Sequence, residues 1–314
     1  MLDVNVNPDT NGFSVKDNTD MDKPDTNIAP IDQKFFPGSN KHITRVGLGG
    51  EGMLRTTGKD PQALAVINEA VNQGITYYDC ARVYMDSEVY YGKFWQDHQK
   101  ERESIFHTSK SADRTRQGAL AELRQTLDRL NTSYLDLWQI HDVRDQKDID
   151  LISENGGALE AFLEAKDLGL VRHIGVTGHH DPQILTQAVE MWPVDAVLMP
   201  VNPVEEIIGG FLTHTLEAAR KKGIATIGMK VLGAKHYIAQ DAGITADLLI
   251  RFALSCDITL AIVGCSTPDE VRVLADAGRQ QAPLTAGEKK AMVEPFLPVA
   301  EKLAFYRGSV FRKP

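Results

Sequence analysis

The stretch VRHIGVTGHHDPQILTQAVEMWPVDAVLMPVN, residues 171–202, contains one complete unit of the repeating pattern from which this chain is built. An apolar run, VRHIGVTG, precedes a helical pattern over 182–190, and a second apolar run, DAVLMPVN, follows it. Asp181 and Pro182 lie where the helix should begin, as a capping residue and a first-turn proline commonly do. Short runs rich in Val, Ile and Leu on both sides of a helix predict parallel strands joined by a crossover helix.

The same alternation extends in both directions along the chain. The apolar runs are RVGLGG, ITYYDC, SIFHTS, YLDLWQIH, VRHIGVTG, DAVLMPVN, ATIGMKVL and TLAIVG. The helical patterns lie near 61–73, 86–98, 115–130, 157–168, 182–190, 213–222, 244–254 and 268–278. Ser111 with Asp113, and Thr267 with Pro268, predict the starts of two of these helices. Eight strand–helix units predict an α/β protein with a closed (β/α)8 TIM barrel.

A glycine-rich turn leaves an open, doubly wound sheet as the alternative fold. A turn-rich entry precedes a predicted first strand over 43–48, and GLGGEG, residues 47–52, has the G-x-G-x-x-G spacing of a dinucleotide-binding fingerprint. The residues that follow, MLRTTGKDP, indicate a loop instead of the helix that this fingerprint opens. We therefore interpret GLGGEG as a tight glycine turn within a barrel.

The two ends of the chain differ from its middle. Residues 1–30 are rich in Asp, Asn, Thr and Pro and contain six Asp against two Lys, which predicts a mobile acidic tail. Residues 31–314 form the predicted barrel domain. Its last part, 285–314, has a helical pattern that Pro295 and Pro298 interrupt, which predicts a helical extension in two short pieces.

Composition narrows the classes of function. The chain has 314 residues, 42% hydrophobic and 25% charged, with a net charge of -9 and no block of Lys and Arg. Nucleic acid and anionic membranes are therefore not expected partners, and no apolar run reaches the ~18 residues of a membrane helix. Three cysteines without metal-like spacing predict a cytoplasmic protein and no metal site. The sequence leaves a monomer or a small homo-oligomer open.

Four polar residues are predicted to meet at the mouth of the barrel. Asp79 ends the second apolar run, Tyr84 follows it, and Lys110 and His141 follow the third and fourth runs. In a parallel barrel the C-terminal ends of the strands share one face. An ammonium beside a phenol favours its ionisation, a carboxylate keeps the ammonium charged, and an imidazole can donate to a carbonyl oxygen. The sequence therefore predicts a proton donor for carbonyl reduction, with a nicotinamide cofactor as the hydride source.

These residues resemble the aldo-keto reductase family. YYDCARVYMDSEVYYG, residues 77–92, is similar to the family's D-T-A-x-x-Y-G-x-S-E-x-x-L-G segment, while HTSK and QIHD resemble its strands ending in Lys and His. The resemblance implies that Tyr84 is the general acid for reduction of a small aldehyde or ketone. It also implies that Lys110 lowers the pKa of Tyr84, that Asp79 pairs with Lys110, and that His141 orients the substrate oxygen.

The resemblance also implies a set of cofactor contacts. These positions are Gly50, Asp79, Thr177, Gly178, Met229, Lys230, Leu232, Gly233, Gly264, Cys265, Ser266 and Glu270. RHIGVTGHH resembles the I-G-V-S-N segment that holds the nicotinamide carboxamide. Thr177 keeps the hydroxyl there, but Gly178 replaces the family's Asn, so that His179 or His180 is the expected substitute.

Other positions depart from the family pattern. Leu198 replaces a glutamine that binds the carboxamide, and Asn202 is the nearby residue that could do so. Met229 replaces an aromatic that stacks on the nicotinamide ring, which a thioether can also cover. Glu270 lies where an Arg commonly binds the 2′-phosphate, and Arg272 could take that role if it turned inward. The resemblance favours NADP(H), while the carboxylate leaves NAD(H) open.

Two other functions are compatible with parts of the pattern. Lys110 or Lys230 could be the Schiff-base amine of a barrel aldolase, although this leaves Asp79, Tyr84 and His141 without a role. A nucleotide-binding regulatory subunit that senses redox state would need the cofactor positions and no turnover. The substrate is not predictable, because YIAQDAG and the segment after Leu284 carry no recognisable charge pattern.

Overall fold

The fold is a closed parallel barrel with helices on its outside, as predicted. The computed structural model describes residues 29–280 and 282–308. The strands are β1 (Gln33–Phe35), β2 (His42–Thr44), β3 (Val46–Leu48), β4 (Tyr77–Asp79), β5 (Phe106–Ser111), β6 (Leu135–Ile140), β7 (Val171–Thr177), β8 (Ala196–Pro200), β9 (Ala225–Met229) and β10 (Leu260–Val263). Strands β3 to β10 pair in chain order and β10 closes on β3, so the open-sheet alternative is wrong.

Helices follow the barrel strands, with extra short helices between some of them. They are α1 (Asp60–Asn72), α2 (Ser87–Asp97), α3 (Gln99–Ser104), α4 (Arg116–Arg129), α5 (Gln146–Ser153), α6 (Ala158–Asp167), α7 (Pro182–Met191), α8 (Pro203–Ile208), α9 (Leu216–Lys222), α10 (Ala246–Leu254), α11 (Pro268–Arg279), α12 (Ala286–Val293) and α13 (Ala300–Leu303). The sequence did not predict α3, α5 and α8. In the part of the chain that the structure describes, no helix is long and apolar enough to cross a bilayer.

The barrel interior is filled by apolar side chains from the barrel strands and from the segment that contains β1 and β2. The buried members of this inner cluster are Phe36, Ile43, Tyr77, Phe106, Leu137, Ala196, Leu198, Ala225, Ile227, Leu260 and Ile262. Burial of each large side chain stabilises the fold by roughly 1.5–3 kcal/mol. A second, larger apolar cluster lies between the barrel and the helices.

A small hairpin closes the N-terminal end of the barrel. The predicted single strand over 43–48 is instead two strands, β2 and β3, because β2 pairs antiparallel with β1. Phe36 and Ile43 are fully buried, and the Phe36 ring lies 4.5 Å from Phe106, the first residue of β5. The hairpin therefore covers one end of the barrel and leaves the opposite end for a site.

Two of the three predicted helix N-caps are confirmed. The side-chain oxygens of Asp181 and Thr267 cap α7 and α11. The prediction for α4 is wrong, because Ser111 is the last residue of β5 and pairs with Ile140. Thr115 caps α4 instead.

The C-terminal extension packs against α8 and against the loops after β7, β8 and β9, beside the mouth of the barrel. Helices α12 and α13 are separated by a 3₁₀ turn at Glu294–Phe296, so the proline-interrupted pattern is confirmed as two pieces. The Tyr306 hydroxyl then accepts from Asn202 Nδ2 at 3.1 Å and donates to Glu205 Oε1 at 2.6 Å. The predicted tail, residues 1–30, lies outside the described residues except for its last two.

Candidate active site

A buried ion pair forms the base of the candidate site. Asp79 ends β4, Lys110 is the fifth residue of β5, and both are 1% exposed. Lys110 Nζ donates to both carboxylate oxygens of Asp79, at 2.7 and 2.6 Å, and to the Cys80 carbonyl at 2.8 Å. Thr108 Oγ1 also donates to Asp79 at 3.0 Å. All three donors of the ammonium are therefore satisfied, which a buried charge requires.

Tyr84 lies over this pair on the loop after β4. Lys110 Nζ is 4.9 Å from the centroid of the Tyr84 ring, and the Arg55 guanidinium carbon is 5.0 Å from it. A Cβ added to Gly50 would lie 2.7 Å from Tyr84 Cδ2 and 3.0 Å from the Asp79 carbonyl. The ring can therefore take this position only because residue 50 has no side chain.

The pKa of Tyr84 differs from the prediction. Burial raises the pKa of Tyr84 well above its usual value, Asp79 and Glu51 raise it further, and Arg55 acts against the rise. The sequence predicted that Lys110 lowers this pKa. In the structure Asp79 balances the charge of Lys110 at hydrogen-bond distance, so that burial dominates. Tyr84 therefore keeps its proton at neutral pH.

His141 completes the group on the other side of the phenol. Its backbone N–H donates to Ser111 O at 2.8 Å, which fixes it beside the end of β5. Its ring meets the Tyr84 ring edge-on, with centroids 5.6 Å apart. Burial, together with the charge of Lys110, lowers the pKa of His141 to about 3. The imidazole is thus neutral and offers one N–H to a ligand.

A cleft of about 460 Å³ leads away from Tyr84 across the mouth of the barrel. The predicted cofactor residues that line it are Gly50, Asp79, Met229, Lys230, Leu232, Gly233, Gly264 and Ser266, together with Leu198. Its wall also contains residues that the sequence did not predict, among them Arg55 and Lys235. Lys235 has a φ of 73°, which is rare for a residue with a side chain, so its place in the cleft wall does not follow from a sequence pattern.

The glycine turn after β3 packs against the loop after β10 at this cleft. A Cβ on Gly52 would meet the Cys265 carbonyl oxygen at 2.6 Å, and one on Gly264 would meet Glu51 at 2.6 Å. Residues Gly52–Arg55 form a 3₁₀ turn, and α1 begins only at Asp60. GLGGEG is therefore a close-packed turn, and the helix that a dinucleotide fingerprint opens does not follow it.

Some of the predicted cofactor residues do not line the cleft. Thr177 is buried, and its Oγ1 accepts from the Asp142 N–H at 2.8 Å. Gly178, the next residue, lies outside the cleft wall as well. Cys265 is also buried, and burial raises the pKa of its thiol to about 12. Asn202 caps α8 through its Oδ1, so that this amide is committed to the fold.

Glu270, another predicted cofactor residue, is not in the cleft wall, but it contacts two residues that are, Ser266 and Lys235. Its Oε2 accepts from the Ser266 N–H at 2.7 Å, and its Oε1 pairs with Lys235 Nζ at 2.6 Å. Arg272 does not turn inward, because it pairs with Glu69 at 2.9 Å and with Asp269. The Glu270 carboxylate is thus held in place by a lysine and a backbone N–H.

Comparison with known proteins agrees with this geometry. A family model described as "Aldo/keto reductase family" matches residues 45–237, more than half of the chain. The chain belongs to the aldo/keto reductase family. Members of this family are oxidoreductases of small carbonyl substrates that use nicotinamide cofactors.

Individual relatives are distant from this aldo/keto reductase. The uncharacterized oxidoreductase YqkF of Bacillus subtilis is 27% identical over 176 residues, 51% of this chain and 53% of the relative. D-arabinose 1-dehydrogenase of Saccharomyces cerevisiae is 25% identical over 191 residues, 55% of this chain and 56% of the relative. The chain thus spans about half the length of these curated relatives. The aldo-keto reductase AKR11C1 of Bacillus halodurans has the same fold, with a TM-score of 0.70, 19% identity, and coverage of 84% and 96%.

Proposed function

We propose that this chain reduces a small aldehyde or ketone to the alcohol with NAD(P)H, and that Tyr84 is the general acid. The observation that carries the proposal is one cluster at the end of the cleft. The Tyr84 ring lies 4.9 Å from the Nζ of the Asp79-bound Lys110 and 5.6 Å from the ring of His141. The name of the yeast relative, a D-arabinose dehydrogenase, supports interconversion of a carbonyl and an alcohol.

The roles follow from the charges of these groups. A carbonyl oxygen beside Tyr84 and His141 would accept the imidazole N–H and the phenolic proton. The reduced nicotinamide, when bound, supplies a hydride to the carbonyl carbon. As negative charge develops on the oxygen, the Tyr84 proton moves to it and leaves a phenolate. Lys110 and Arg55 stabilise that phenolate, and a proton from water then restores the phenol.

The cleft fits a dinucleotide. Gly50, Gly233 and Gly264 leave its wall without side chains at three places, so that a ligand can approach the backbone closely. Lys230 and Lys235 would bind the pyrophosphate as point charges. Met229, in the wall between them and Tyr84, would cover one face of the nicotinamide ring.

NAD(H) is the form of cofactor that the far end of the cleft favours. The Glu270 carboxylate already occupies the Ser266 N–H and balances the charge of Lys235. A carboxylate repels a 2′-phosphate but accepts a hydrogen bond from a free ribose hydroxyl. This argument outweighs the family resemblance, which favours NADP(H).

A Schiff-base aldolase is not favoured by this geometry. A nucleophilic lysine must lose its proton before it attacks a carbonyl. All three donors of Lys110 are engaged by the Asp79 carboxylate and the Cys80 carbonyl, so this amine is not free to attack a substrate carbonyl.

Loss of the nicotinamide absorbance band with a panel of carbonyl compounds tests the proposal, with NADH and NADPH assayed separately. We expect turnover by the purified chain. Tyr84→Phe should still bind the cofactor, but its kcat/KM should fall by between about 100-fold and about 10,000-fold.

Tyr134→Phe is the matched control, because it removes a phenol at the opposite end of the barrel. Turnover by Tyr84→Phe near the rate of the natural chain would remove Tyr84 as the acid, and cofactor binding without any turnover would favour the regulatory alternative.

A further inference from the structure

Three potential metal ligands meet at the mouth beside the proposed active site. Asp142 follows His141 after β6, and His179 and His180 follow the end of the neighbouring strand β7. Asp142 Oδ1 lies 3.2 Å from His179 Nε2 and 3.6 Å from His180 Nε2. All three ligand atoms lie within 4.8 Å of one another. The sequence interpretation assigned His179 or His180 to the carboxamide of the cofactor.

The hydrogen bond of His179 fixes which ring nitrogen is free. His179 Nδ1 lies 3.1 Å from the carbonyl oxygen of Tyr306, which can only accept, so Nδ1 carries the proton. The neutral ring then presents the Nε2 lone pair toward Asp142 Oδ1. A backbone carbonyl on the second nitrogen is the usual arrangement for a histidine that binds a metal ion.

Asp142 has one oxygen without a partner. Its Oδ2 accepts from the Arg144 guanidinium at 2.6 and 2.8 Å. Its Oδ1 is buried and has no hydrogen bond among the described residues. A carboxylate oxygen and an imidazole lone pair that face each other repel, unless a cation or a second proton lies between them.

We propose that Asp142, His179 and His180 bind one divalent transition-metal ion of the zinc class. In a tetrahedral site with metal–ligand bonds of about 2.0–2.1 Å, neighbouring ligand atoms lie about 3.4 Å apart. The two distances to Asp142 Oδ1 lie on either side of this value. Two imidazoles select zinc, copper or nickel over magnesium or calcium. Three protein ligands leave a fourth position for water or a small ligand.

The surroundings limit the affinity of this site. Arg144 covers Oδ2, and Lys230 is close enough to repel a cation at both imidazoles. We therefore expect weaker binding than in a structural zinc site with four protein ligands. A bound ion would join the loops after β6 and β7, and it would hold the C-terminal segment through the Tyr306 carbonyl.

Calorimetric titration of the full chain with Zn²⁺, and with Mg²⁺ for comparison, tests the proposal without any assay of turnover. We expect one equivalent of Zn²⁺ to bind, with a rise in Tm, and no saturable binding of Mg²⁺. His180→Asn should weaken Zn²⁺ binding by at least ~100-fold, which is the upper range for loss of an outer-shell partner. Asp142→Asn should also weaken it, and asparagine tolerates the φ of 56° at this position.

His42→Asn is the matched control, because this exposed histidine lies in the hairpin at the opposite end of the barrel. It should bind Zn²⁺ as the natural chain does. Three outcomes would each overturn the proposal. They are no saturable binding of Zn²⁺, equal Zn²⁺ binding by His180→Asn and the natural chain, and an equal loss of binding in His42→Asn. A proton shared between His179 and Asp142 would then account for the short distance.

Discussion

Two ion pairs with the same separation lie at opposite ends of the cleft. Lys110 and Asp79 are 2.6 Å apart beneath Tyr84, with side chains 1% and 2% exposed. Lys235 and Glu270 are also 2.6 Å apart, but their side chains are 57% and 35% exposed. Removal of one partner of a buried pair leaves an unpaired charge in a low dielectric, whereas water screens an exposed pair. Although the two distances are equal, loss of one partner should strongly destabilise the fold in the buried pair and should have little effect on stability in the exposed pair.

This difference divides the functions of the two ends. At the end with the proposed general acid, the buried pair holds a charge near the phenol, so that a change there should alter both folding and activity. At the far end Glu270 forms an exposed ion pair with Lys235, which lines the cleft, so that a change there should alter the choice of cofactor and little else.

The largest expected effect is that of Lys110→Met. This change leaves Asp79 buried and unpaired, so we expect a loss of about 3–5 kcal/mol in the free energy of unfolding together with loss of reductase activity. Lys235→Met, the matched change in the exposed pair, should cost no more than about 1 kcal/mol. Urea denaturation of both variants measures the difference.

The double variant Asp79→Asn/Lys110→Met separates stability from catalysis. It removes both charges, so it should recover much of the stability while it remains inactive. Equal losses of stability in Lys110→Met and Lys235→Met would contradict the comparison between the two ends.

A smaller effect is expected from Gly50→Ala, which adds a methyl group beside Tyr84. The added Cβ would lie 2.7 Å from the ring, so the phenol must move. A displacement of about 1 Å at a reacting group can lower activity by about 100-fold. We expect kcat/KM to fall by about that factor. Gly287→Ala is the control, because nothing lies within 4 Å of its added Cβ. Unchanged activity in both variants would argue against the position of Tyr84.

The barrel could be predicted because its strands are buried on both faces. Runs such as YLDLWQI and DAVLMPV are mostly apolar and stand out between amphipathic helices. The hairpin of β1 and β2 was missed because each strand has three residues, and Phe36 and Ile43 give no periodic signal. Helices α5 and α8 were missed because they are short additions within the loops.

The convergence of the proposed catalytic residues was easier to predict than the rest of the cleft. Asp79 and Lys110 belong to strands whose C-terminal ends share one face, so their convergence follows from topology. Lys235 reaches the cleft through a loop in which Gly233, Ala234 and Lys235 all have positive φ, and Gly233 alone does not predict that the next two residues share this conformation. Burial raises the pKa of Tyr84. The charged residues in the sequence do not show how deeply this phenol is buried, so the sequence could not predict the rise.

The smallest expected effect, and the one confined to the far end, is that of Glu270→Arg. This change removes a carboxylate that repels a 2′-phosphate and introduces a guanidinium that can bind it. We expect the ratio of kcat/KM with NADPH to that with NADH to rise by about tenfold, equivalent to about 1.4 kcal/mol, with the free energy of unfolding nearly unchanged. Asp269→Arg is the matched control, since it changes the net charge by the same amount at a neighbouring side chain that is 85% exposed. A ratio that stays constant in Glu270→Arg, or that rises equally in both variants, would mean that Glu270 does not contact the ribose and that only the overall charge near the cleft affects the choice of cofactor.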